Sequence, residues 1–225
     1  MGKTLKQSLF ATIPVMTGYL VLGFGFGIIL KANGYSILLA LAMSVFIYAG
    51  SMQYIAIGLL TGGVSLITAF LTTLMVNARH LFYGISMLDK YRGTGKIKPY
   101  LIFALTDETY SLVCHDNANV TAESRNNYYF FVSLFNHIYW VVGSLLGAAV
   151  GSLVKFNSEG IDFALTALFI TVFIEQWLST KKHSPAIIGV SVSVICLAVF
   201  GSEKFLIPDM LVIALLLSLI NEGEK

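Results

Sequence analysis

Three clusters of polar residues interrupt sequence that is otherwise strongly apolar, and their residue types could do chemistry. They are the run Tyr48-Ala49-Gly50-Ser51-Met52-Gln53, the group Asn77, Arg79 and His80, and the pair Asp107-Glu108. An ionisable group at the centre of a bilayer costs about 2.5–3.5 kcal/mol on insertion scales, so its presence in an apolar segment indicates a function by default. These residue types can bind a zwitterion or transfer a proton.

The adjacent acids Asp107 and Glu108 follow the apolar run 100–105. Neighbouring side chains point about 100° apart on a helix, so one carboxylate can face a cavity while the other accepts local hydrogen bonds. We expect one of them to meet a substrate ammonium or to carry a coupling proton. The alternative is a helix N-terminus at the membrane surface, with Thr106 as its cap and the acids favoured by the helix dipole.

The second cluster, Asn77 with Arg79 and His80, follows the apolar run 71–76 within a segment that extends to about residue 88. The Arg79 guanidinium could hold a carboxylate with two parallel hydrogen bonds, and His80 could relay protons near neutral pH. The alternatives are an arginine at a helix end that extends to the membrane surface and a histidine that is simply hydrogen-bonded.

In the run 48–53, small residues precede Ser51 and Gln53, which favours a helix break. Unwound backbone and a new helix N-terminus can bind a carboxylate there. Gly50, Ser51 and Gln53 are therefore the predicted anion-binding end of a site. The alternative is an uninterrupted helix with Gln53 hydrogen-bonded to a neighbour. The predicted apolar wall of the site is made by Phe24, Phe26, Met52 and Tyr83. Weaker candidates are Asn136, His137 and Trp140.

Composition defines the elements that must hold these residues. Only 12% of the 225 residues are charged, about half the roughly 25% of soluble domains, and the mean hydropathy is +0.80. A water-soluble globule is excluded, and a net charge of +2 without a basic stripe argues against nucleic-acid binding. The two distant cysteines suggest neither a disulfide framework nor a zinc site, and no cofactor is expected.

The apolar stretches indicate an all-α polytopic membrane protein that forms a single transmembrane domain over residues 1–225. Since roughly 20 apolar residues cross a bilayer, six to eight hydrophobic helical segments are predicted. They span about residues 10–30, 36–60, 64–88, 99–114, 128–154, 161–178, 184–200 and 205–221.

The distribution of Lys and Arg suggests that two of these segments do not cross fully. Basic residues favour the cytoplasm, and they cluster at residues 3–6, 90–98 and 181–182. Eight full crossings would leave the middle cluster outside. All three clusters fall inside if 36–60 and 99–125 are re-entrant or broken helices, as in transporters built from inverted repeats. A simple bundle of seven or eight spans is the alternative.

Glycines recur every four residues at two places, Gly23 and Gly27 in the first segment and Gly143, Gly147 and Gly151 in the fifth. Such spacing makes smooth helix faces where two backbones can approach closely. The faces form either an internal packing seam or a groove for a second membrane subunit.

Several motifs occur together in a fixed order along residues 8–115. They are Gly23-Phe24-Gly25-Phe26-Gly27, Met43-Ser44, Tyr48-Ala49-Gly50-Ser51-Met52-Gln53, Val76-Asn77-Ala78-Arg79-His80-Leu81-Phe82-Tyr83-Gly84 and Leu105-Thr106-Asp107-Glu108. In this combination the chain resembles the AzlC family, the large subunit of branched-chain amino acid exporters. Tyr48, Met52 and Ala78 depart from the residues usual in that family, which changes pocket size more than chemistry.

The resemblance implies a multi-pass permease of the bacterial inner (plasma) membrane that exports leucine, isoleucine and valine, with methionine a further candidate. It also implies a small AzlD-type membrane subunit as partner. Coupling to the proton gradient is expected. The alternatives are a membrane-embedded enzyme and a non-transporting assembly subunit. The enzyme is disfavoured because the sequence contains neither an HExxH nor a GxSxG motif.

Overall fold

In the computed structural model the chain divides into two compact units, residues 1–161 and 162–225, and each is described by itself. The structure describes residues 2–77, 79–114, 120–121, 124–153, 170, 173–174, 177–178, 183–201, 205, 208–209, 211–213 and 215–217, with only the backbone of Arg79 and Phe82. All regular elements in these ranges are helical, so the predicted all-α class is confirmed for them. The single domain over 1–225 stays a prediction.

The first unit contains eight helices in its described part. They are α1 (Gly2–Ala32), α2 (Ile37–Phe46), α3 (Gly50–Thr61), α4 (Leu66–Val76), α5 (Arg79–Met87), α6 (Lys98–Phe103), α7 (Asp107–Val113) and α8 (Arg125–Leu153), with a 3₁₀ turn at Gly95–Ile97. The described part of the second unit contains α9 (Ser184–Phe200), which matches the predicted segment 184–200.

Two of the described helices, α1 and α8, are long and apolar enough to cross a membrane. The 31 residues of α1 measure about 46 Å at about 1.5 Å per residue, against a hydrocarbon core about 30 Å thick. Most of the predicted segment 161–178 and about half of the segment 205–221 lie outside the described residues. The number of crossings therefore stays a prediction.

The glycines predicted to make smooth helix faces join α1 to α8. A Cβ on Gly23 would lie 2.9 Å from the backbone oxygen of Trp140, and a Cβ on Gly143 would lie 2.9 Å from that of Leu20. Gly27 and Gly147 have even less space against the opposite backbone. The two faces cover each other, which confirms the internal packing seam rather than the groove for a second subunit.

The predicted break within 36–60 is present. Helix α2 ends at Phe46 and α3 begins at Gly50, and between them Tyr48 has a φ of 45°. It is the only residue other than glycine with a positive φ in the described parts of the chain. Such a conformation is uncommon for a bulky residue and is maintained only by its surroundings. Tyr48 is only 3% exposed, so the residues packed around it maintain this conformation.

The segment 99–114 is also broken, between α6 and α7. The Thr106 hydroxyl caps α7 by accepting a 3.2 Å hydrogen bond from the backbone N–H of Thr109, and Asp107 and Glu108 occupy its first turn. The predicted Thr106 cap is therefore confirmed. Because Leu105 and Thr106 are both buried, this helix N-terminus lies inside the protein rather than at its surface.

The predicted hydrophobic segment 64–88 contains two helices, with a break that the sequence analysis did not predict. Helix α4 ends at Val76 and α5 begins at Arg79. The side-chain amide of Asn77 donates a 3.0 Å hydrogen bond to the Thr73 backbone oxygen, and the backbone N–H of Asn77 bonds to the same oxygen. Asparagine competes in this way with the helical pattern and favours helix ends.

Candidate functional site

A buried network of hydrogen bonds surrounds the N-terminus of α7. The Tyr19 hydroxyl of α1 donates to Glu108 Oε2 at 2.6 Å and lies 2.7 Å from the Thr106 hydroxyl. Thr106 in turn donates to the Thr109 hydroxyl at 3.0 Å. The break between α6 and α7 thus brings a carboxylate into direct contact with α1.

The network continues to α8 through Asn136, whose side chain is completely buried. Its Nδ2 donates to the Thr109 hydroxyl at 3.0 Å. Thr109 therefore accepts hydrogen bonds from Thr106 and from Asn136. Polar side chains from α1, α7 and α8 meet in an interior where water is scarce, and there each hydrogen bond contributes more than it does at a wet surface.

The broken segment formed by α2 and α3 reaches the same region through Gln53. The Trp140 indole N–H donates to Gln53 Oε1 at 2.9 Å, and Gln53 Nε2 donates to the Ser44 hydroxyl at 3.4 Å. The Trp140 ring packs edge-on against Tyr19, with centroids 5.5 Å apart. Gln53 and Glu108 are therefore linked through Trp140 and Tyr19, while the Gln53 amide itself is engaged within the protein.

Tyr48 lies beside this network. Its buried hydroxyl lies near enough to the side chains of Tyr19 and Thr109 to interact with them. The Tyr48 ring packs against His137, with centroids 4.3 Å apart. The imidazole of His137 lies 3.2 Å from the Ser44 backbone oxygen, so it holds the end of α2.

A cleft of about 350 Å³ opens beside α4, α5 and the end of α6. It is lined by Phe70, Thr73, Leu74, Asn77, His80, Leu81, Gly84, Ile102 and Leu105. Its wall is largely apolar, and Asn77 and His80 are its polar members together with Thr73. Leu105 lines the cleft and immediately precedes Thr106 of the buried network in the sequence.

The other predicted site residues differ in their burial and in their contacts. A Cβ on Gly50 would lie 2.9 Å from the Trp140 ring, Met52 is buried, and Ser51, Phe24 and Asp107 are half-buried. Tyr83 stacks on Tyr110 with centroids 4.6 Å apart. His80 Nδ1 lies 3.2 Å from the Asn77 backbone oxygen, and the Arg79 side chain lies outside what the structure describes. The roles of these residues stay predictions.

Sequence reasoning missed Tyr19, because an aromatic residue within an apolar run gives no local sign of a polar contact. It also missed Asp209 in the second unit, which is 6% exposed and accepts a 2.8 Å hydrogen bond from the Ser193 hydroxyl. The sequence alone could have identified Asp209, because it is an acidic residue inside the apolar stretch 205–221.

Outside the apolar segments, Tyr91 belongs to an apolar core cluster with Met87, Leu101 and Tyr129. Burial, together with the neighbouring Tyr129, raises the pKa of the Tyr91 hydroxyl, which therefore stays protonated at neutral pH. This cluster packs the end of α5, the helix α6, the end of α7 and the first part of α8 against one another.

Two long apolar helices, and short broken helices that meet them at buried polar groups, are features of a membrane protein. The family model described as AzlC protein matches residues 14–154. The chain belongs to the AzlC family.

Curated relatives are similar over most of this chain. The Branched-chain amino acid transport protein AzlC of Bacillus subtilis is 50% identical over 212 residues, which cover 94% of this chain and 83% of the relative. An uncharacterized membrane protein of Helicobacter pylori is 42% identical over 98% of this chain and 96% of its own length. The inner membrane protein YgaZ of Escherichia coli is 27% identical over 88% and 80%. No solved structure gives a significant match.

Proposed function

We propose that this protein is a membrane transporter that exports branched-chain amino acids, driven by the proton gradient. The name of the Bacillus subtilis relative supports the substrate class. The observation that carries the proposal is the partly buried hydrogen bond between Tyr19 and Glu108 at a helix break. A carboxylate held inside a membrane protein by a second helix is suited to a cationic group or a proton.

The substrate has three parts that need different surroundings. Its ammonium group meets Glu108, which accepts from Tyr19 and lies near Tyr48. Its aliphatic tail occupies the cleft that ends at Leu105. Its carboxylate meets the N-terminus of α3 at Gly50 and Ser51, where backbone N–H groups and the helix dipole favour negative charge. Asn77 and Arg79 assist at the carboxylate end.

Asp107 and Glu108 have different roles in coupling amino-acid export to proton entry. A charged carboxylate inside a membrane protein is stabilised when a cation lies beside it. The ammonium group of a bound amino acid supplies that cation, and when it leaves, Asp107 takes a proton instead. Protons therefore enter as amino acids leave.

The small AzlD-type membrane subunit is part of the proposal, as is a location in the bacterial inner membrane. Co-purification of this chain with the product of a neighbouring gene that encodes a small, very hydrophobic protein tests the partnership. A complex that survives gel filtration in detergent supports it, and this chain transporting at full rate alone contradicts it.

Proteoliposomes loaded with labelled leucine test the function directly. Vesicles that contain the wild-type protein should release leucine when the outside is made acidic relative to the inside, and release should saturate with leucine concentration. Release that is independent of the pH gradient contradicts proton coupling. Conversion of leucine into another compound would instead support a membrane-embedded enzyme.

A further inference from the structure

One imidazole on α8 contacts both broken segments. His137 Nε2 lies 3.2 Å from the backbone oxygen of Ser44 on α2. His137 Nδ1 lies 3.3 Å from the hydroxyl oxygen of Tyr100 on α6. Both ring nitrogens therefore have an oxygen within hydrogen-bond distance, and the side chain is half-buried rather than enclosed.

These two contacts assign the hydrogen of the neutral His137 ring. The Ser44 backbone oxygen can only accept a hydrogen bond, so Nε2 must be the nitrogen that carries the hydrogen. Nδ1 then has a lone pair, which accepts from the Tyr100 hydroxyl. The position at which this ring can take up a proton is therefore Nδ1, beside α6.

Three aromatic rings surround the imidazole. Their centroids lie at 4.3 Å for Tyr48, 5.8 Å for Phe103 and 6.2 Å for Tyr100. Aromatic faces attract a cation at about 6 Å or less. In the described part of the chain, the polar groups that face His137 from α2, α6 and the break after α2 are those of Ser44, Tyr100 and Tyr48, and none is a carboxylate or a basic group.

A proton on Nδ1 would reverse one hydrogen bond and keep the other. Nε2 still donates to Ser44, whereas Nδ1 changes from acceptor to donor, so the Tyr100 oxygen must accept and its own hydrogen must turn away. Partial burial penalises the charged ring. The charge-assisted hydrogen bonds and the aromatic rings offset that penalty. The contact between α8 and α6 therefore depends on protonation.

We propose that His137 Nδ1 is a proton-binding site that makes the contact between α8 and α6 sensitive to pH. Helix α6 leads into the break before α7, whose first turn contains Glu108. A proton at His137 therefore acts on the segment that carries Glu108, and it is separate from the proton assigned to Asp107. Only the consequence for transport rests on the function proposed above.

Nuclear magnetic resonance of the ring nitrogens tests the site without transport. The chain has four histidines, and the full chain is labelled with ¹⁵N at these rings and studied in detergent micelles. His137→Gln assigns the His137 signals by removing them. We expect hydrogen on Nε2 at about pH 8 and a proton added at Nδ1 as the pH falls toward about 5. A neutral ring with its hydrogen on Nδ1, or an Nδ1 still unprotonated at about pH 5, overturns the proposal.

Tyr100→Phe tests the link to α6, because it removes the hydroxyl and keeps the ring. The Nδ1 signal of the neutral His137 ring should move, since Nδ1 loses its donor. The Nε2 signal should stay, because the Ser44 contact remains. An Nδ1 signal that is the same as in the wild type overturns the link between His137 and α6.

Transport is the second readout. The amide of His137→Gln can donate to Ser44 and accept from Tyr100 as the neutral ring does, but it does not bind a proton. Exchange of labelled leucine is measured in proteoliposomes at equal pH on both sides. The ratio of the rates at about pH 5 and about pH 8 should change at least about threefold in this variant, because a charge-assisted hydrogen bond is lost.

His183→Gln is the matched control. His183 precedes α9 in the other unit, and its replacement should leave the pH profile of exchange as in the wild type. A wild-type profile in His137→Gln overturns the role of this proton in transport. A wild type that does not transport leucine overturns the proposed function, whereas the proton site is then still decided by the resonance measurement.

Discussion

The hydroxyl of Tyr19 on α1 donates a 2.6 Å hydrogen bond to Glu108 in the first turn of α7. The same hydroxyl lies 2.7 Å from the Thr106 side chain that caps this helix. One residue of a long helix therefore contacts both the acid and the cap of a broken one. Any movement of α7 that releases Thr106 also releases Glu108 from Tyr19.

Replacing Tyr19 by Phe should slow pH-driven leucine efflux at least about tenfold, because a hydrogen bond to a charged group is worth about 1.5–3 kcal/mol and Glu108 loses its orientation with it. The ring contact with Trp140 is kept. Efflux per folded protein from proteoliposomes is the measurement.

Tyr54→Phe is the control for Tyr19→Phe. The Tyr54 hydroxyl donates to the Leu22 backbone oxygen on the same helix α1, and it does not contact an acid among the described residues. Its removal should lower the melting temperature without changing efflux per folded protein. Equal effects of the two variants on efflux would show that the Tyr19 contact is only structural.

Asp107→Asn should abolish gradient-driven efflux while leaving the protein folded, because the neutral amide cannot take up the proton. Exchange of labelled for unlabelled leucine, which needs no net proton movement, should persist. The two assays are run on the same vesicles with and without a pH gradient. Normal driven flux in this variant would remove the assignment of the coupling proton to Asp107.

Gln53→Ala should reduce both the stability of the protein and its stabilisation by leucine. The amide accepts from Trp140 and donates to Ser44, so its loss leaves a buried indole N–H without an acceptor. The shift in melting temperature per concentration of leucine separates the two effects. An unchanged shift would limit Gln53 to a structural role in positioning Trp140.

Gly84→Leu tests whether the cleft holds the aliphatic tail. Gly84 lines the cleft, and a Cβ added there meets nothing within 4 Å, so a side chain should fill the cleft without disturbing the fold. The KM of efflux should rise more for leucine than for the smaller valine. A uniform change for both substrates would place the tail elsewhere.

Gly23→Ala should destabilise the protein, because its Cβ would lie 2.9 Å from the Trp140 backbone oxygen. Gly18→Ala on the same helix α1 is the comparison, since nothing lies within 4 Å of its Cβ. It should be neutral or stabilising by about 0.5–1 kcal/mol through helix propensity. Melting temperatures in detergent measure the difference, and equal values would contradict the close contact between α1 and α8.

Local signals predicted a large part of this arrangement. The small residues before Ser51 predicted the break between α2 and α3. Thr106 followed by two acids indicated the start of α7, and the glycine spacing predicted a closely packed helix pair. Each depends on residues a few positions apart, where backbone conformation and helix geometry decide the outcome.

Contacts between distant residues were not predictable in the same way. Tyr19 and Glu108 are 89 positions apart, and Asn136 and Thr109 are 27 apart. Nothing in their local sequence indicates which partner each will find. The break at Asn77 was missed for a different reason. Asn77 was interpreted as a substrate-binding residue and not as the residue at which α4 ends.

The glycine contact between α1 and α8 restricts how the protein can change shape. Their backbones touch without intervening side chains, so neither helix can slide or tilt against the other without a collision between main-chain atoms. We expect α1 and α8 to move as one rigid body, relative to which the shorter helices move during transport. A disulfide engineered between α1 and α8 should therefore leave transport intact. A disulfide engineered between α7 and α1 should instead hold the transporter open to one side of the membrane and stop transport.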